Sequence, residues 1–264
     1  MTESFMGRRA LWLTIVNHRL QAPTWRSTQQ LLRVCCALLV GLVAAGEACG
    51  QRNNVAYPDW ATRFPAVELY EPDCGPLYIP NKYGPFDYRV LAPADRDLVD
   101  RAHFSYEYEA YLQGKDWSAR PGNPGPPAGG FSYTLWAFPN QLRALAAMED
   151  LGIRYKSEKP RGAGLRVHCY FQRAVRFVPN DADVRALYGY YYARRGKVAE
   201  ARQQLEKAEA LDSSKANVWL YVAFAYLEIK DFEKSLTAAK RAYAAGYSLP
   251  GLRRRLERAG AWRD

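Results

Sequence analysis

Cysteine and histidine have the widest chemistry of any residues in this 264-residue chain, and both are few. The cysteines are Cys35, Cys36, Cys49, Cys74 and Cys169; the histidines are His18, His103 and His168. Cys35 and Cys36 lie in an uncharged run, Val34 to Gly46. If that run is the core of a secretory signal removed near Gly50, these two and Cys49 leave with it. The remaining pair, Cys74 and Cys169, reads in an exported chain as one disulfide closing a loop of about 95 residues. Two buried free thiols are the alternative. A metal centre would want several His, Cys, Asp or Glu at ligand spacing. His168 and Cys169 are adjacent, and neighbours on a helix point about 100° apart, so they are not expected to converge. His103, beside Asp100, reads as a packed or capping residue. No P-loop, dinucleotide fingerprint or nucleophile elbow occurs. The expectation is therefore a protein that is not an enzyme, with no metal and no cofactor. A hydrolase whose site residues are dispersed along the chain is the enzymatic alternative.

The elements that would position any site are organised by a tandem repeat. Ala182–Lys215 and Ala216–Leu249 are two consecutive units of 34 residues that align without a gap. Gly189 falls on Ala223, Tyr192 on Tyr226, Ala201 on Ser235, Leu205 on Ala239 and Ala208 on Ala242. This period, with its small/aromatic/small pattern, resembles the tetratricopeptide repeat. The resemblance implies two antiparallel helices per unit, with Gly189, Ala201, Ala223 and Ser235 where paired helices cross. Tyr192, Leu205, Trp219 and Tyr226 would fill the space between units. One unit cannot bury its apolar face alone, so neighbours must stack.

A distorted third copy lies upstream. Phe138-Pro139-Asn140-Gln141-Leu142 parallels Val178-Pro179-Asn180-Asp181-Ala182 at an offset of 40, six more than the repeat. The second helix, Leu165 to Phe177, keeps its register, which puts the extra residues in an enlarged turn, Tyr155 to Gly164. Tyr133 to Phe138 looks like the tail of a still earlier second helix. Leu249 to Ala259 reads as a cap, with Leu252 and Leu256 inward and arginines in water. The expected fold is all-α: an array of about three repeats (142–181, 182–215, 216–249) with a capping helix (250–262), preceded by an irregular segment. Within that segment, 51–120, Tyr83, Phe86 and Tyr88 need a surface to pack on. Pro93 to His103 reads as a short helix with Leu98 and Val99 inward. Tyr106 to Gln113 reads as another, with Ser105 as N-cap and Gly114 past its end. Pro121 to Gly130 holds four Pro and four Gly in ten residues and reads as a loop before the 131–264 domain.

A closer resemblance rests on particular runs: Cys74-Gly75, Tyr83-Gly84-Pro85-Phe86-Asp87-Tyr88-Arg89, Ala102-His103-Phe104, Ala137-Phe138-Pro139-Asn140, Arg143-Ala144-Leu145, Cys169-Tyr170-Phe171 and Tyr188-Gly189-Tyr190. Over about 74–262 the chain is similar to a group of exported proteobacterial tetratricopeptide proteins. That resemblance implies cysteine at both 74 and 169, and a periplasmic or secreted place in a Gram-negative cell. The group tends to have His after Pro-Asn, where this chain has Gln141.

In such arrays the first helix of each unit lines a concave binding face. The positions here are Arg143 and Asp150; then Asp183, Ala186, Tyr190, Ala193 and Arg194; then Asn217, Leu220, Phe224, Leu227 and Glu228. Tyr190 beside Phe224 is the expected anchor, since aromatics and arginine dominate binding hot spots. The alternative is that the aromatic N-terminal segment fills this face itself. The Lys/Arg/Asn set of the carboxylate-clamp subclass is not reproduced, so C-terminal chaperone tails are not expected ligands.

The formal net charge is +10, with 37 basic and 27 acidic residues, and reads as a solvated basic helical surface. No nucleic-acid-reading motif occurs, so no nucleic-acid partner is expected. Five arginines precede the apolar run Val34–Gly46, whose 13 residues are short for a membrane span but suit a signal peptide, 1–50. The expected function is an exported protein-interaction module or adaptor binding a protein or peptide in a cell-envelope process. The alternative is a membrane-anchored structural accessory subunit, if the leader is retained.

Overall fold

Ala, Leu, Tyr and Arg recur at helical spacing from residue 93 onward, and the chain folds there mostly as helix. The structure, a computed structural model, describes residues 70–71, 74–79, 82–122 and 124–263. The expected signal peptide at 1–50 lies outside the described residues. Two short strands, β1 (Tyr70–Glu71) and β2 (Gly75–Pro76), pair antiparallel. The helices follow: α1 (Pro93–Val99), a π turn (Asp100–Phe104), α2 (Ser105–Leu112), α3 (Pro127–Ala137), α4 (Leu142–Arg154), α5 (Val167–Phe177), α6 (Ala182–Ala193), α7 (Val198–Ala210), α8 (Ala216–Glu228), α9 (Phe232–Ala244) and α10 (Gly251–Arg258). No helix among the described residues is long and apolar enough to cross a membrane.

Three helix starts are closed by side-chain caps. Gln141, Asp181 and Asp231 accept hydrogen bonds from the backbone N–H of Ala144, Val184 and Lys234. The pairs α6/α7 and α8/α9 begin 34 residues apart, helix for helix. Their crossings are where the small residues stand. A Cβ on Gly189 would lie 2.6 Å from Leu205 Cδ2. In the next pair the Ser235 hydroxyl donates to the Ala223 carbonyl at 2.8 Å, satisfying a buried polar group across the contact. The α4–α5 connection, 155–166, is the longest within a helix pair from α4 onward, and it sits where the sequence places its six-residue insertion.

The N-terminal segment differs from expectation. There is one helix from Pro93 to Leu112 rather than two, carrying a π turn in its middle. Ser105 is inside this helix and is not its N-cap; its hydroxyl donates to the Asp100 carbonyl, five residues back. The Ser105 backbone N–H donates to the same carbonyl, the five-residue bond of the π turn, so that oxygen accepts twice. Val99 is buried but Leu98 is exposed, because a helix turns adjacent residues apart. The Pro/Gly stretch is also less irregular than its composition. Helix α3 starts at Pro127, a residue tolerated at a helix's first turn, and takes in Gly129 and Gly130. Gly130 is needed there for close approach: a Cβ would lie 2.5 Å from the Glu107 side chain and from the His103 carbonyl. Helix α3 thus packs along the 93–112 helix as a further antiparallel pair. Among the described residues the array has four helix pairs and a capping helix, one pair more than the repeats read from sequence.

Two large buried clusters run through the array. One joins Phe104, Phe131, Leu145, Met148, Phe171, Leu187 and Tyr188; the other joins Leu205, Trp219, Tyr226, Ala239, Leu252 and Leu256. Tyr83, Phe86 and Tyr88 pack around Val99, Ala137 and Phe138 in a third, smaller cluster.

Candidate functional site

The face made by α2, α4, α6, α8 and α10 carries most of the expected binding residues, and the structure joins them into one row. Arg143 of α4 is exposed and lies over the rings of Tyr108 (4.2 Å) and Phe104 (5.3 Å) from the first pair. Tyr190 of α6 is half-buried, with its ring 6.0 Å from Phe224 and 6.2 Å from Tyr221 on α8. Leu220 is half-buried beside these rings, and Asn217 is exposed at the start of α8. Arg255 of α10 lies 5.2 Å from the Phe224 ring and pairs with Glu228 at 2.8 Å. Arg194 lies over Tyr190 and pairs with Glu149 at 2.7 Å. Tyr108, Tyr190 and Phe224 each have a guanidinium beside the ring, and the Arg194 and Arg255 guanidiniums are held by carboxylates.

Burial holds the Tyr190 and Tyr221 phenols above the ordinary tyrosine value. They remain neutral donors. Glu149 is buried between Arg194 and Arg195, and desolvation holds its carboxyl above the ordinary value despite both cations. Asp183, expected on the open face, is instead buried and paired with Lys215 at 2.7 Å. Ala186, Ala193 and Leu227 are corrections of the same kind: all three are buried in the interface between neighbouring pairs. A helix face shared by stacked neighbours is narrower than a free one.

The aromatic segment ahead of the array does not cover Tyr190 and Phe224 with any described residue. Its rings at 83, 86 and 88 sit instead at the end of α3. Its helix contributes Tyr108 to the row.

Cys74 and Cys169 form a disulfide, with Cα atoms 4.9 Å apart. One turn further along α5, Arg173 reinforces the same attachment. It is 1% exposed, donates to the carbonyls of Pro76 and of Leu77 (3.1 Å), and lies 3.9 Å from the Trp136 ring. No carboxylate figures among these partners, and burial lowers its pKa to about 10. His168 departs from expectation. Its Nε2 is 3.5 Å from Cys169 Sγ. The two Cβ directions diverge, but an imidazole is long enough to fold back over its neighbour.

Asn140 is a second tie that sequence reasoning did not assign. It accepts from the Tyr88 N–H (2.9 Å) and donates to Asp87 (2.7 Å) and to Asp181 (3.0 Å), the N-cap of α6. The Pro-Asn signal marked the position without giving its role. His103 is packed as expected, with its ring stacked on Tyr133 at 3.7 Å. Its Nδ1 meets Arg120 at 2.9 Å. Arginine can only donate, so Nδ1 is the acceptor. Burial and the Arg120 charge lower its pKa, keeping the ring neutral. A cavity of about 610 Å³ opens here, lined by Arg101, His103, Tyr106, Arg120 and Tyr133.

Comparison with family models, with curated proteins and with solved structures finds no match to this chain.

Proposed function

We propose that the chain is an exported interaction module of the tetratricopeptide type. Its first-helix face takes an extended segment of a protein partner in a cell-envelope process. The observation that carries this is the set of half-buried rings, Tyr108 on α2, Tyr190 on α6 and Tyr221 and Phe224 on α8, with Arg143, Arg194 and Arg255 among them. Rings held at fixed spacing give apolar contact at little entropic cost, and arginine guanidiniums offer donors to a partner's carbonyls. The mix of cations and carboxylates suits a polypeptide, which presents both donors and acceptors, better than a polyanion. The export reading rests on the arginine-preceded apolar run Val34–Gly46 and on a disulfide, a bond that persists in oxidising compartments.

The test is a pull-down from envelope extract with wild type and with Tyr190→Ala/Phe224→Ala, each variant checked for unchanged helicity. The expected outcome is loss of a specific partner on double substitution. A folded variant retaining the same partners would remove this face from the proposal. N-terminal sequencing of the periplasmic fraction tests location; an intact leader found only in the membrane would overturn it.

A further inference from the structure

Cys74 Sγ, Cys169 Sγ and His168 Nε2 all lie within 4.8 Å of one another. Two sulfurs and an imidazole are the donor set that zinc and other borderline or soft cations prefer. In the oxidised chain the sulfurs are bonded to each other, so neither is a ligand. The question is where they go when that bond opens.

Ordinarily the two strands of a reduced disulfide part. Here the 74–77 segment has a second, independent attachment to α5. Arg173 stands four residues after Cys169, on the same face of the helix, and holds the carbonyls of Pro76 and Leu77. Releasing it would strand a buried guanidinium, so the segment stays in place without the covalent bond. The sulfurs are buried, while His168 is half-buried and forms the side open to an ion.

We propose that reduction converts this disulfide into a three-ligand site for a divalent cation of the zinc type. A dithiol supplies two electrons and two protons. Its two S–H bonds break and its own disulfide forms; the Cys74–Cys169 bond breaks and two thiols result. The cation then displaces both thiol protons and takes two thiolates and the His168 Nε2 lone pair. Metal–sulfur bonds of about 2.3 Å in tetrahedral geometry place the sulfurs roughly 3.8 Å apart. Cys74 can open that far, because Arg173 grips two residues beyond it and not the cysteine itself. Three protein ligands leave the fourth position to water.

The test uses the full chain with Cys35, Cys36 and Cys49 changed to Ser, so that only the pair at issue remains. It is reduced with a dithiol, desalted without oxygen and titrated with cobalt(II), then with zinc(II). The expected result is one equivalent of cobalt with a sulfur-to-cobalt charge-transfer band, bleached by zinc and absent from the oxidised chain. Cys74→Ser should abolish the band, and His168→Ala should weaken binding at least tenfold with helicity unchanged. No band in the reduced chain, a band indifferent to His168→Ala, or unfolding on reduction would each overturn the proposal.

Discussion

Glu149 is the residue whose environment most departs from its type. It is buried beside two arginines, and desolvation holds its carboxyl above the ordinary 4.5. Between that value and the raised one, the folded chain binds the proton more fully than the unfolded chain. Stability is therefore lost as pH rises across this window, and the contribution is unaffected below it. Urea unfolding at a series of pH values should show wild type falling relative to Glu149→Gln through the window. A constant difference between the two would contradict the assignment. None of this was legible in the sequence. A glutamate at a helical position reads as a solvated face, and its two arginines come from the turn that follows α6. Arg173 is similar: its partners, Pro76 and Leu77, precede it by almost a hundred residues, so no local pattern announces them.

At the scale of elements, the clearest prediction concerns the crossing of α6 and α7. Gly189 has no room for a side chain: a methyl group on its Cα would stand 2.6 Å from Leu205 Cδ2 and 2.8 Å from Leu205 Cγ. Gly189→Val should cost about 1–3 kcal/mol by overpacking, measured by urea denaturation. Adding Leu205→Ala should recover part of that loss, since the clash is between these two side chains. Equal losses in the single and double variants would place the strain elsewhere. Here the repeat alignment pointed to the right residues, because a crossing repeated in each unit demands small residues at equivalent places. It served less well for the 93–112 helix. Ser105 has the residue type of a cap, but the chain passes through it helically with a π turn. Capping preference says where a helix can begin, and packing against α3 decides that this one continues.

For the whole molecule, the disulfide and the Arg173 clamp fasten the N-terminal segment to the array at one place. Opening the bond in Cys74→Ser/Cys169→Ser frees a loop of 95 residues in the unfolded chain. The chain-entropy model puts the cost at roughly 4 kcal/mol, which for a domain this size lowers the Tm by roughly 10 °C. Calorimetry should show that drop with one cooperative transition, because Arg173 still holds the segment. An unchanged Tm would mean that the noncovalent ties, Arg173 and Asn140 among them, set the attachment. The interaction proposal belongs to this scale too. A row of rings across several helices exists only in the stacked array, and no single pair presents it.

The sequence by itself determined the helical class, the 34-residue register of α6 to α9 and the small residues at their crossings, while the disulfide it offered was closed by the structure. These follow from periodicity and from counting, both of which are local or nearly so. Tertiary structure alone decided that the Pro/Gly stretch ends in a helix and that the segment before it supplies a fourth pair. It also decided that Asp183, Ala186 and Ala193 are closed off between neighbours, and that His168 folds back onto Cys169. Each depends on what a distant element brings to the same place, and hydrophobic period and capping chemistry carry no information about that neighbour.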